Sequence, residues 1–193
     1  MLGPGLPEIQ PDLNEVTKHT INVFWDVKPE DVPLRPQAAA ITEARQKSGK
    51  DFQSAYCLPS GVPASTLTTH VKMVQGPREI YIDGRTLPQP PEPSWMGTSA
   101  GHWQEDTLVV ETTSFKEAAW LDLFGHPRSE AMRITERFRR RDFGHMDLEM
   151  TFDDPKYYAR PFGFKTTMTL LPDDRMYEFV CTENQKFRDH LPN

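Results

Sequence analysis

The sequence predicts a mainly β protein: an antiparallel up-and-down β-barrel, lipocalin-like in a broad sense, with a proline-rich N-terminal arm and one short helix. Three observations carry this expectation. Proline supplies 18 of the 193 residues, roughly twice ordinary usage, and interior proline breaks helices by removing a donor and clashing with the preceding turn. From residue 70 onward, short runs of alternating apolar and polar residues recur between turn residues, the mark of half-buried strands. Most connections between these runs are short, which joins antiparallel neighbours, since parallel strands need a long crossover.

The elements follow in order. Residues 1–65 hold eight of the prolines and little alternation, so they read as a wrapping arm, with a barrel domain over 66–193. Within the arm, Ile21-Asn-Val-Phe-Trp25 and Val27 are apolar pieces suited to lie across a sheet or add an edge strand. A helix of about three turns is expected after them: Pro36 suits the first helical position, Gln37 to Lys47 are mostly good helix formers, and Gly49 offers a stop. Strands are expected near 70–75, 78–83, 97–103, 106–113, 131–140, 145–152, 163–171 and 175–181. Alternation is cleanest in Met146-Asp-Leu-Glu-Met-Thr-Phe152, where Met146, Leu148, Met150 and Phe152 share a face. Eight strands with one apolar face can close into a barrel that holds a small ligand. A β-sandwich, or a curved sheet covered by the arm, is the structural alternative. Pro88-Gln-Pro-Pro-Glu-Pro93 reads as a stiff polyproline-type loop, and Glu183 to His190 as a final helical turn or two.

Composition narrows the functional class. A net charge of -6 opposes general nucleic-acid binding, which needs a basic surface; the basic run Arg137-Phe-Arg-Arg-Arg141 is short and reads as a solvated strand end. No apolar run approaches the roughly 20 residues of a membrane span. The first ten residues have neither a basic nor an apolar leader region, so the expected location is periplasmic or secreted if a leader was removed, and otherwise cytoplasmic. Cys57 and Cys181 are either bonded across a loop of more than a hundred residues or two buried thiols.

No phosphate loop, nucleophile elbow, His-Glu-x-x-His pair or Cys-x-x-Cys motif is present, so an enzyme reading rests on a constellation. Phe115 to Glu130, a long loop between two expected strands, is the richest segment. Here Trp120 offers a stacking face, and Asp122, His126 and Glu130 offer acid, base or metal-ligand groups. Histidine titrates near neutrality, and a carboxylate such as Asp122 can orient it as a general base or acid. The plainer role for the same residues is structural: Asp122 and Ser129 capping turns, and His126 bonded to a backbone carbonyl. Glu136 falls on the apolar face of Met132, Ile134 and Phe138, where a carboxylate must find a partner or hold its proton. It suits either a second acid/base group or a buried ion pair. In the turn pair Asp83-Gly84, Asp83 can shape the turn, while Arg85 after it can clamp a substrate oxygen. Trp95 and Trp103 bracket small residues and can stack on a ligand or fill the core. His102, His126 and His145 lie near strand ends without a short ligand spacing.

Cys57-Leu-Pro-Ser-Gly-Val-Pro63, Asp83-Gly-Arg85, Trp95-Met-Gly-Thr-Ser-Ala-Gly101, Asp106-Thr-Leu-Val-Val-Glu-Thr112, Gly125-His-Pro-Arg-Ser129, Thr135-Glu-Arg-Phe138, Phe143-Gly-His145 and Asp153-Asp-Pro155 together resemble a largely uncharacterised bacterial family. It is frequent in acidobacteria and sphingomonad-type bacteria and often carries a secretory leader. The resemblance covers about residues 57–191 and implies a β-rich fold and a secreted ancestry, with no reaction attached. Where that family usually reads Gly-Arg-Trp-Glu-Gly-Asp, this chain has Gly101-His-Trp-Gln-Glu-Asp106, so the turn glycine is replaced by Glu105. Arg128 stands where a second histidine is common.

The expected function is a cofactor-independent enzyme of lyase or isomerase type, acting by proton transfer on a small, partly aromatic molecule in the barrel. His126, Asp122 and Glu136 would be catalytic, with Arg85, Trp95, Trp120 and Trp103 binding substrate and no metal or cofactor. The alternatives are a non-catalytic binding protein for an apolar ligand, a metal-dependent enzyme using His126 and His145, or an interaction protein with a filled barrel. Expected partners are a small molecule and, optionally, a second copy of the chain.

Overall fold

In the computed structural model, residues 18–49, 52, 61–63, 79–82 and 93–170 are described. Six strands form one sheet in the order of the chain: β1 (Ile80–Tyr81), β2 (Thr98–Gln104), β3 (Thr107–Thr113), β4 (Arg133–Arg140), β5 (His145–Asp153) and β6 (Phe162–Thr169). Every pairing from β2 to β6 is antiparallel, as the short turns require. β1 departs from the expected meander. It runs parallel to β2, with Ile80 opposite Ser99, because the residues between them are numerous enough for a crossover. The sheet is open among the described residues, with β1 and β6 at its edges, so the described strands form a curtain and not a closed barrel. The strands expected at 70–75 and 175–181, most of the loop at 88–93, the C-terminal helical turns, Cys57 and Cys181 lie outside the described residues.

The register turns alternation into two chemically different faces. Val110, Glu136 and Met150 lie in one cross-strand row, and Thr112, Ile134, Phe152 and Phe162 in the next. Nearly all are buried. The opposite face carries Arg133, Arg137, Arg139, Asp147, Glu149 and Lys165, with ion pairs such as Arg139 to Asp106 at 2.9 Å and Lys165 to Glu149 at 3.3 Å. Such exposed pairs are worth about 0–1 kcal/mol each. Burial of the other face therefore sets which side of the sheet turns inward.

The arm covers the apolar face. Residues 18–21 make a helical turn, closed by the Asn22 N–H on the Lys18 carbonyl at 2.9 Å. Val23 and Phe24 beyond it are buried, and His19 lies flat on Phe164 with ring centroids 3.8 Å apart. Leu34, and not the Ile21 to Val27 stretch, adds the strand-like contact, bridging Tyr158. Helix α1 (Pro36–Ser48) starts on its proline and ends at Gly49, whose φ of 63° lets its N–H reach the Arg45 carbonyl at 2.7 Å. The helix buries Ala38, Thr42 and Arg45.

A candidate acid/base site

Strands β3 and β4 are joined by the long segment that the sequence singles out, and it closes on itself. Trp120 bridges Pro127, and the Leu121 N–H donates to the His126 carbonyl at 2.8 Å. At its tip Asp122 performs the turn-capping expected of it: Oδ1 accepts the N–H groups of Phe124 and His126, both at 3.1 Å. Oδ2 accepts the Val23 N–H from the arm at 2.8 Å and lies 2.6 Å from His126 Nδ1. A carboxylate surrounded by three backbone donors is an acceptor, so the proton of this contact sits on Nδ1. His126 therefore does not bond a backbone carbonyl. Its Nε2 has no hydrogen-bond partner among the described residues. The residue is 3% exposed, with Phe24 perpendicular to its ring at 4.9 Å and Phe124 stacked at 5.3 Å.

The surrounding polar groups hold this loop in place. Asp154, in the β5–β6 connection, accepts the Ser129 N–H at 2.7 Å and the Ser129 hydroxyl at 2.8 Å, while Ser129 Oγ accepts the Ala131 N–H at 3.1 Å. Tyr158 donates to the Pro127 carbonyl at 2.7 Å. Burial raises that phenol well above its ordinary value, with Asp122 and Asp154 adding to the effect. Glu117 ties the two connections together by accepting from Lys156 and, at 2.5 Å, from the Tyr157 hydroxyl; these bonds hold its carboxyl below the usual range.

Arg128 is wholly buried. It donates to the carbonyls of Val62 at 3.2 Å and Trp95 at 2.7 Å and stacks over Phe115 at 4.6 Å. Burial, then repulsion from Arg45, pulls it down to about 9. It still carries its charge at neutral pH, solvated by carbonyl dipoles and a ring face.

The remaining expected site residues are dispersed. Glu136 is fully buried on the core face of β4, as alternation indicates, one cross-strand row in from Ile134. Trp120 is buried between Phe52 and Arg45. Trp95 lies under the Lys116 ammonium at 5.3 Å. Trp103 is 62% exposed near the far end of β2, and Arg85 lies outside the described residues. The histidines do not converge. His126 is beside the Asp153 end of β5, through the Tyr158 and Asp154 contacts, whereas His145 begins that nine-residue strand and pairs with Asp142 at 2.9 Å. A strand of that length separates its ends by about 25 Å, so His126 and His145 cannot ligate one ion. No cluster of three or more His, Cys, Asp or Glu suited to a metal occurs among the described residues.

No family model, curated protein or solved structure matches the chain. The site must be read from its own chemistry. Sequence reasoning missed Phe24, Phe124 and Asp154 as its walls and props. Phe24 carried a signal in the buried apolar piece of the arm, but nothing local says which loop an arm will cover.

Proposed function

We propose that the chain is an enzyme of lyase or isomerase type that moves a proton on a small, partly aromatic molecule. The observation that carries this reading is the 2.6 Å contact of His126 Nδ1 with Asp122 Oδ2, with Nε2 left as the base. His126 Nε2 takes a proton from a carbon acid, the C–H electron pair passes into an adjacent carbonyl, and Asp122 stabilises the imidazolium that forms. The same Nε2–H then returns the proton to a neighbouring atom, completing an isomerisation, or to a leaving group, completing an elimination. Glu136, buried on the apolar face of β4, is the second acid/base group of the proposal.

The test is solvent deuterium exchange into a panel of aryl ketones and aryl-substituted keto acids, followed by proton NMR. Catalysed exchange is expected, and His126→Ala should slow it by about 10²–10⁴-fold, the usual worth of a general base. Wild type no faster than buffer, or His126→Ala matching wild type, overturns the proposal. A second reading is favoured by the three backbone N–H groups on Asp122: the pair ties arm to loop in a non-catalytic binding protein. In that case Asp122→Asn lowers stability and leaves ligand affinity and exchange unmoved.

A further inference from the structure

The arm and the loop bury their inner residues but leave large apolar side chains in water, Phe124 among them against His126. Ile21 is 44% exposed, Trp25 55%, Leu123 50% and Phe124 45%. The pieces are joined: the Leu123 N–H donates to the Thr20 carbonyl at 3.0 Å, Gln46 of α1 holds the Phe124 carbonyl at 3.1 Å, and Phe124 stacks on the His126 ring at an interplanar angle of 24°. We propose that this rim is the docking face for a neutral aryl group of the molecule on which His126 acts, with Phe124 as its stacking surface. The purpose of the docked group rests on the proton-transfer reading above; the docking itself does not.

Area, charge and ring geometry select this occupant. Four half-exposed side chains fall well short of the roughly 800 Å² per partner that a stable protein interface needs, which favours a small molecule over a second copy. The nearby charges are already engaged: Asp122 and Arg45 are buried and hydrogen-bonded to backbone, and Lys18 pairs with Asp26 at 2.9 Å. Among the described residues these charges are thus committed to partners, which favours a neutral ring. Phe124 and Trp25 present π faces, which favour an aromatic group stacked or edge-on.

The test is a fluorescence titration with N-phenyl-1-naphthylamine, a neutral aryl probe, with thermal melts confirming that each variant is folded. Saturable binding is expected in the wild type, weakened at least tenfold by Phe124→Ser and at least threefold by Leu123→Gln. Phe143→Ser, which changes an exposed aromatic in the β4–β5 turn at the opposite end of the sheet, should leave it unchanged. A nuclear Overhauser contact between the probe and His126 Hε1 is expected in the complex. Absence of saturable binding, insensitivity to both rim variants, or an equal loss in Phe143→Ser overturns the proposal. Deuterium exchange reads chemistry without the probe and the titration reads docking without chemistry, so either can fail alone.

Discussion

Asp122 accepts four hydrogen bonds, one from His126 and three from the backbone. Replacing it with asparagine keeps one acceptor oxygen and turns an amide N–H₂ toward existing donors. Asp122→Asn should therefore cost about 2–4 kcal/mol, read from thermal melts. It should also move the His126 proton from Nδ1 toward Nε2, read by nitrogen-15 NMR of the imidazole. This pair was legible in the sequence because its partners are four residues apart on one loop. Glu136 was legible because strand alternation assigns it to a face. The tryptophans were not: an aromatic side chain states that it will be buried or stacked, but not against what. Trp120 found Phe52 and Arg45, while Phe124, with no distinguishing motif, found His126.

At the scale of elements, helix α1 agrees with its sequence signals at both ends, because the signals are local backbone chemistry. Pro36 tolerates the first turn, where its missing donor is not needed, and Gly49 adopts the left-handed cap. The β2–β3 turn shows the opposite case. Glu105 has φ of 54°, a conformation that costs a residue with a Cβ about 1 kcal/mol. Glu105→Gly should raise stability by about 0.5–1 kcal/mol, less the entropy that glycine adds to the denatured chain, measured as a higher urea midpoint at unchanged slope. Between β5 and β6, a Cβ on Gly163 would lie 2.1 Å from the Met150 carbonyl oxygen. Gly163→Ala must therefore push two backbones apart, and a loss of more than about 2 kcal/mol is expected in the same assay. The parallel setting of β1 had no such local signal, since it depends on how a long connection returns.

At the scale of the molecule, arm, loop and sheet are joined through buried polar groups, and their protonation couples to folding. Tyr158 keeps its proton in the folded state well above the ordinary phenol value, whereas the denatured chain releases it near pH 10. The folded state then binds more protons, so this contribution is complete below pH 10 and is lost as pH rises beyond it. Tyr158→Phe loses the bond to the Pro127 carbonyl and should be about 1 kcal/mol less stable at neutral pH. Thermal melts from pH 8 to 11 should show the two proteins converging as pH rises above 10.

What the sequence determined by itself is the part that short-range physics controls: strand-rich character, the ends of α1, the inward face of β4 and β5, and the capped loop that carries Asp122 and His126. Each follows from backbone sterics or period-two burial within a few neighbouring residues. Only the tertiary structure decided that the arm donates the Val23 N–H to Asp122 and sets Phe24 against His126, about a hundred residues away. It also separated His126 from His145 and sent Arg128 to carbonyls and a ring face. Those pairings depend on which surfaces meet when the apolar face is buried, and hydrophobic burial is non-directional: it requires a cover but does not name the segment that provides it.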